Sequence, residues 1–451
     1  MSGEPSEPPA SNTRSAINAV FLFFVVGAIL FAAYTGRMQA VTDASFEAAK
    51  SAVTLAIGLI GIMALWLGLV RVLEAGGFMY TLAKALRPVM VRLFPDVPPL
   101  HPAMGAMILN ISANMLGLGN AATPFGIKAM AELDRLNPLK GTATNAMCLF
   151  LALNTSSVAL FPLGVIGVRA AANATDPAGI WLPTLLSTIA STAVGIVVAV
   201  LLARRDSNYA QLSKKQPLEE SSSEGAVLET LPTSTEYSHL LVPVGRGSKA
   251  LAMLGGLAFA GAMGLGVADH GFAFFDSNFV SFWLMPALML AIVLYGLGRG
   301  VKVYEAVTEG AKQGFDIAVR IIPFLVAILV AIGMFRASGA MELLTGWIAP
   351  LSHPIGMPPD TLPMALIRPL SGSGAFGIMS ELIQREPDSY SAFVAMTMMG
   401  STETTFYVLA VYFGAVGVTR LRHALVAALL ADVTGIVCAC LTSAFFWSPP
   451  L

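Results

Sequence analysis

Glu403 is the residue of this chain best placed to do chemistry, because it lies in the middle of a long apolar stretch, residues 391–418. Holding an ionised carboxylate inside a membrane costs about 3 kcal/mol, so the side chain should face a cavity, find a partner or stay protonated. Glu403 is therefore a candidate for solute binding or proton coupling. The structural alternative is a hydrogen bond to Thr402 or Thr404, or an ion pair with an arginine of another helix.

Asp432 is the second candidate for proton or ion coupling, since it lies well inside the apolar stretch 423–446. It could pair with Arg368 or His423, or take part in a proton path. Arg368 comes just before a polar, glycine-rich segment, where it could meet an anionic solute or neutralise Glu381. The sequence leaves these pairings open.

Amide and hydroxyl side chains supply the rest of the candidate solute site. Such groups can hydrogen-bond a sugar, a base or an amino-acid-like solute. The alternative for each of them is close packing of small polar residues between membrane helices. The predicted solute-binding residues are Asn110, Asn114, Asn120, Thr123, Asn154, Thr155, Ser156, Ser157, Ser371, Ser373, Glu381, Ser401, Thr402, Glu403, Thr404 and Thr405.

All of these residues except Glu381 lie in four polar interruptions of apolar sequence, two in each half of the chain. The first half has 109–127 and the hydroxyl cluster 154–157, and the second half has 370–378 and 401–405. Polar backbone at membrane depth is tolerated only where it is buried in protein or lines a cavity. A duplicated broken span therefore predicts a solute site between two repeats.

Internal similarity supports the duplication. Residues 101–108 align with 362–369 at an offset of about 261, and each copy continues through a glycine-rich loop to a Glu-Leu pair, at Glu132 and at Glu381. Glu132 follows Lys128 by one helical turn, which predicts an ordinary i,i+4 pair.

The two copies differ in charge. The first carries asparagines and hydroxyls, whereas the second carries Glu403, whose counterpart is Ser156 or a neighbour of it. Any charge chemistry would rest on the second copy.

Composition assigns the chain to membrane proteins. It is 56% hydrophobic and only 12% charged, with a mean hydropathy of +0.73, far from the balance of a soluble domain. Its net charge of -1 includes no basic stripe, so nucleic acid is not an expected partner. The partners expected are a small-molecule solute and membrane lipid, and a homo-oligomer stays open.

Motifs of enzymes and pumps are missing from the sequence. It has no GxSxG elbow, no HExxH and no Walker A loop, so we expect neither an enzyme nor an ATP-driven pump. Its three cysteines lie in apolar runs and are interpreted as small core residues, with a CxC metal site as the alternative. We expect no cofactor and no bound metal, and active transport would use a Na+ or H+ gradient.

Apolar windows of about 20 residues predict the membrane-spanning helices. The N-terminal one is too long for a signal-peptide core and is predicted to be a retained helix. Two segments of mixed charge, 71–93 and 301–320, are predicted to be amphipathic helices that lie at the interface or cover the core, and structural packing is the favoured interpretation. The clean predicted spans are 16–34, 52–70, 180–202, 249–267, 280–297, 321–335 and 423–446.

A polar tract, 204–247, separates the halves and predicts a linker, because it lacks the apolar residues needed to order itself. Basic residues at both of its ends place it in the cytoplasm by the positive-inside rule. The predicted domains are 1–203, a linker 204–248, and 249–451.

Long motifs resemble a known family. GLGNAATPFGIKAMAELDRLNP, at 117–138, resembles spore maturation protein A, whereas PLSGSGAFGIMSEL, at 369–382, and MGSTETTFYVLAVYFGAVG, at 399–417, resemble spore maturation protein B. The chain is thus similar to a fusion of the two, within the nucleoside-recognition or Gate-domain family.

The resemblance implies an all-α polytopic protein of the bacterial cytoplasmic membrane. Gate domains are similar to the core of concentrative nucleoside transporters, which implies two inverted repeats, each with a re-entrant helical hairpin and a broken transmembrane helix. The hairpins would lie in 102–136 and 361–384. Three functions follow as hypotheses: a secondary transporter or exporter of a small polar solute, a non-transporting component of an envelope or spore-maturation complex, and a flippase for lipid-like substrates.

Overall fold

A computed structural model describes residues 16–117, 119–206, 237–270 and 283–447. These residues form an all-helical fold, as predicted. The helices of the first half are α1 (Ala16–Thr35), α2 (Met38–Ala75), α3 (Phe78–Leu93), α4 (Pro102–Met115), α5 (Gly119–Arg135), α6 (Asn145–Thr155), α7 (Leu163–Ala171) and α8 (Trp181–Arg205). Those of the second half are α9 (Arg246–His270), α10 (Leu284–Arg299), α11 (Val303–Ala337), α12 (Ala340–Ser352), α13 (Leu362–Ile367), α14 (Gly372–Arg385), α15 (Tyr390–Ser401), α16 (Thr405–Gly414) and α17 (Ala424–Phe446).

The second half repeats the helix order of the first. A long helix (α2 or α11) is followed by a shorter helix, a helical hairpin (α4–α5 or α13–α14), a broken helix (α6–α7 or α15–α16) and a closing helix (α8 or α17). The hairpins and breaks lie where the polar interruptions of the sequence predict them. Packing is exchanged between halves, since α1 lies on α11 and α10 lies on α2.

Apolar helices give the chain its membrane character. Three of the described helices, α8, α9 and α17, are long and apolar enough to cross a membrane. The end of α2 and α3 together form a fourth apolar unit, bent by 69°. The bend falls at Gly77, whose φ of 74° is readily adopted only without a side chain.

The two predicted amphipathic helices at 71–93 and 301–320 have different bounds in the structure: 78–93 forms α3, whereas 303–320 is only the first part of α11. Residues 71–75 end α2, and α11 continues without a break through the predicted boundary at 320. The charges of these segments are used between helices: Arg71 pairs with Glu74 at 2.9 Å and with Glu309 of α11 at 3.8 Å. Their mixed pattern therefore reflects contact between α2 and α11, which pack along each other.

The C-terminal end of the predicted linker, from residue 237, contacts the helical core. Residues 207–236 lie outside the described part, but Leu240 is only 2% exposed and packs with α2 and α10 residues. The Tyr237 hydroxyl accepts a hydrogen bond from Arg71 at 2.9 Å. A few apolar and aromatic side chains after the polar tract are enough to dock this segment on the core.

The start of each broken helix contacts the loop that follows the other broken helix. Arg422, after α16, donates to the Asn145 side chain at 3.0 Å at the start of α6. Arg169, in α7, lies 3.8 Å from Asp388, just before α15, and the Thr175 N–H donates to the same carboxylate at 3.0 Å. These contacts fix the two broken helices against each other.

Candidate functional site

The two helix breaks meet. α6 ends at Thr155, and the N–H of Glu403, in the gap between α15 and α16, donates to the Thr155 carbonyl at 3.0 Å. Interrupted helices leave backbone groups without intrahelical partners, and inside a membrane these groups must be satisfied by other protein groups. The unwound backbone of each half thus provides a partner for the other.

Hydroxyl side chains explain where the helices break. Ser156 donates to the carbonyl of Ala152 at 2.7 Å, and Ser401 donates to that of Met398 at 3.1 Å. Such bonds to the preceding turn compete with the regular helical pattern and favour its end. Thr402 then adopts an extended conformation, with φ -139° and ψ 159°.

A neutral hydrogen-bond network lies beside the first break. Asn154 accepts from Asn114 at 2.9 Å and from the Tyr412 hydroxyl at 3.3 Å. Asn110 donates to Tyr412 at 3.1 Å and to the Ala122 carbonyl at 2.9 Å. The side-chain oxygen of Asn110 is buried without a partner among the described residues. We name Asn110, Asn114, Asn154 and Tyr412 the amide cluster.

A buried arginine organises the second break. Arg368 is 3% exposed and donates to the Thr404 hydroxyl at 2.9 Å, to the Met399 carbonyl at 3.2 Å and to the Thr402 carbonyl. It also lies 3.7 Å from the Glu403 carboxylate, whose side chain is 58% exposed. Arg368 therefore holds the ends of both helices and leaves Glu403 open to its surroundings.

Asp432 lies next to this arrangement, on α17. It is 1% exposed, and one carboxylate oxygen accepts from Thr405 at 2.6 Å, while the other has no partner among the described residues. In the described part of the chain it forms no ion pair within 4.0 Å with Arg368 or His423, the partners considered from sequence. We name Arg368, Glu403 and Asp432 the charged cluster.

Two predicted pairings differ in the structure. Glu381 forms a two-point ion pair with Arg336 of α11, in which one contact is 2.8 Å. Arg368, the partner considered from sequence, instead hydrogen-bonds residues at the second helix break. Glu132 pairs with Arg135 at 2.9 and 3.0 Å instead of Lys128. Residues three apart on a helix are neighbours as well, so Arg135 reaches the same carboxylate.

Some of the remaining predicted site residues have structural roles, and others have no role that the structure describes. Ser371 caps α14 by accepting from the Gly374 N–H at 3.0 Å, and lies 3.3 Å from the Ser373 hydroxyl. The Ser157 hydroxyl is buried without a partner among the described residues. Thr123 is half-buried on α5, and the Asn120 side chain lies outside the described residues.

Close-packed glycines also shape the site, and the sequence reasoning missed them together with Tyr412. A Cβ on Gly195 of α8 would lie 3.2 Å from the Ser156 hydroxyl, and one on Gly435 of α17 would lie 2.5 Å from a Thr402 methyl. The closing helix of each half therefore uses a glycine to admit the residue that ends the broken helix. Their signal in the sequence, single glycines within apolar helices, is too common to single them out.

Paired hairpins and broken helices in an apolar, all-helical chain define a membrane protein built from two similar units. The model of the family described as Gate, nucleoside recognition, matches residues 56–172 and 318–419, which contain one hairpin and one helix break each. The chain belongs to this family.

Two relatives from Bacillus subtilis (strain 168) each match a little over a third of the chain. Spore maturation protein A is 41% identical over 182 residues, which are 40% of this chain and 93% of that protein. Spore maturation protein B is 46% identical over 161 residues, which are 36% of this chain and 90% of that protein. The two matches are consistent with a fusion of homologues of both. No solved structure matches the chain.

Proposed function

We propose that the chain is a secondary transporter or exporter of a small polar organic solute, nucleoside-like, amino-acid-like or a carboxylate. The observation that carries the proposal is the hydrogen bond between Glu403 and Thr155, which joins the two helix breaks. Unwound helices that meet between two repeats are the usual basis of a solute site in secondary transporters. The protein would cross the bacterial cytoplasmic membrane several times.

The amide cluster and the charged cluster have complementary tasks in this proposal. Amide and hydroxyl groups of the first can hydrogen-bond the polar groups of a solute. An acid at membrane depth is by default a functional group, and Glu403, open on one side and 3.7 Å from Arg368, is suited to proton or Na+ coupling. Asp432 is the second coupling candidate, because one of its buried oxygens is free of partners in the described residues.

The proposal includes an inverted arrangement of the halves, like that of concentrative nucleoside transporters. It is supported by the contacts at the helix ends. The start of α6 meets the loop after α16, and the start of α15 meets the loop after α7. Two broken helices connected in this way run in opposite directions, as inverted repeats require.

A second candidate function has support from the relatives. Both are named for spore maturation, and a membrane component of such a complex would use the same fold without moving a solute. In that case the polar breaks would serve to lock the two halves together.

Transport in proteoliposomes tests the proposal. The purified chain is reconstituted, and uptake and efflux of nucleosides, amino acids and dicarboxylates are measured with and without Na+ and pH gradients. Glu403→Gln is compared with Glu386→Gln, an exposed acid outside the site. We expect gradient-driven flux that the first variant loses and the second keeps. A folded protein that moves none of these solutes under any gradient would favour the second candidate.

A further inference from the structure

A cleft of about 370 Å³ lies away from the helix breaks, at the end of α8. Its walls are the C-terminal end of α3, the first turn of α6 and the last turns of α8. The volume falls within the roughly 300–1,000 Å³ of small-molecule sites. None of the predicted site residues lines it.

The cleft has a charged mouth and an apolar wall. Arg92 and Arg204, both exposed, line it from two different helices, and in the described part of the chain neither forms an ion pair within 4.0 Å. Asp96 is the one acid among the lining residues, so the cleft keeps a net positive charge. The apolar wall is formed by Leu93, Val200 and Ala203, which are half-buried and leave apolar surface open to the cleft.

Its position corresponds to the surface of a membrane. Arg204 is the penultimate residue of α8, a helix long and apolar enough to cross a bilayer, so a bilayer crossed by α8 would have its headgroups near the cleft. The N-terminus of α6 also opens onto it, at Asn145, and helix N-termini favour anions.

We infer that this cleft binds the phosphate of an anionic phospholipid, with the arginines on the headgroup and an acyl chain along the apolar wall. Arginine suits phosphate because it offers several N–H donors in a planar fork. α6 runs from the cleft to the helix break at Thr155, so a bound lipid would also brace the candidate site.

Lipid binding to the full chain in detergent tests this inference. Native mass spectrometry would count bound phosphatidylglycerol against phosphatidylcholine with the same acyl chains, and inorganic phosphate would be the free-anion probe. We expect preferential binding of the anionic lipid, weakened about tenfold or more in the double variant Arg92→Gln/Arg204→Gln. Arg205→Gln removes the adjacent exposed arginine, which does not line the cleft, and should bind within about twofold of the parent.

A second variant separates lipid from free phosphate. Val200→Trp keeps both arginines and narrows the cleft along its apolar wall. It should therefore weaken the binding of phosphatidylglycerol and leave the binding of inorganic phosphate unchanged. Equal binding of the two lipids, or unchanged binding in a double variant with normal helix content, would overturn the inference. Binding of inorganic phosphate without binding of the lipid would overturn it too.

Discussion

The first and second helix breaks solve the same problem with different chemistry. The first, residues 156–162 between α6 and α7, is long and is surrounded by the neutral amide cluster. The second, residues 402–404 between α15 and α16, is short and is held by the buried cation Arg368. A chain built from two similar units thus keeps one uncharged break and one charged break.

The difference separates two tasks that a symmetric site would have to share. Hydrogen bonds between amides orient groups without adding charge, so the first break can contact a polar solute at low desolvation cost. The ionisable groups nearest to the meeting point, Arg368, Glu403 and Asp432, all come from the second half. In the proposed transporter, coupling to an ion would therefore rest on the second break.

Replacing Arg368 should give the largest effect and tests whether the charge holds the second break. In Arg368→Gln the carbonyls of Met399 and Thr402 lose their donor, and Glu403 loses its cation. Each buried carbonyl left without its donor costs about 1–3 kcal/mol, which gives about 2–6 kcal/mol for the two together. We expect that loss in the free energy of unfolding in mixed detergent. Arg368→Lys should not restore it, because an ammonium group cannot reproduce the planar fork.

The control for this prediction is Arg385→Gln. Arg385 pairs with Asp360 at 2.9 Å but is 45% exposed, so its loss should cost less than about 1 kcal/mol. Equal losses for the two arginines would mean that the second break does not depend on its buried cation.

The matched glycines test the close packing of the two breaks. Gly435→Ala would place a methyl group 2.5 Å from a Thr402 carbon, whereas Gly195→Ala would meet the Ser156 hydroxyl at 3.2 Å. Overpacking of this kind costs about 1–3 kcal/mol, and we expect a loss of that size in the free energy of unfolding of Gly435→Ala. For Gly195→Ala we expect a loss of less than about 1 kcal/mol. Thermal unfolding of both variants measures the difference. The reverse order would show that the first break is the tighter one.

Tyr412→Phe tests the neutral network. The phenol oxygen joins Asn110 and Asn154 at 3.1 and 3.3 Å, so its removal should cost about 1 kcal/mol. Solute affinity should fall while the dependence of flux on an ion gradient is kept. Tyr407→Phe, on the same helix but 56% exposed, is the control. Loss of ion dependence in Tyr412→Phe would contradict the division of tasks.

Local features of the fold could be predicted from the sequence. The hydroxyl clusters predicted from the sequence mark both breaks, and the helix pairs α4–α5 and α13–α14 coincide to within one residue with 102–136 and 361–384, where the family resemblance implies hairpins. Glycine, proline and hydroxyl residues act on the backbone within one or two turns, so their effect can be recognised without knowing the neighbours.

Long-range partners could not be predicted. The pairing of Glu381 with Arg336 and the reach of Tyr412 to Asn110 depend on which helices pack together. The extent of α11 was missed for the same reason, since its charged N-terminal half packs along α2 and continues without a break into the apolar half. A single sequence contains no direct signal for such contacts.

The two equivalent glutamates give the smallest and most direct test of the comparison. Glu132 pairs within its own helix with Arg135, which is 71% exposed, whereas Glu381 reaches Arg336 on another helix, with side-chain exposures of 18% and 26%. Glu132→Gln should therefore cost about 0.5 kcal/mol or less, and Glu381→Gln about 1 kcal/mol. Unfolding of both variants at low and high salt measures this. Salt should reduce the cost at Glu132 more, because its partner Arg135 is largely exposed, although the Glu132 side chain itself is only 11% exposed. Equal costs with equal salt dependence would mean that charge does not join helices in the second half, and that the asymmetry is confined to the helix breaks.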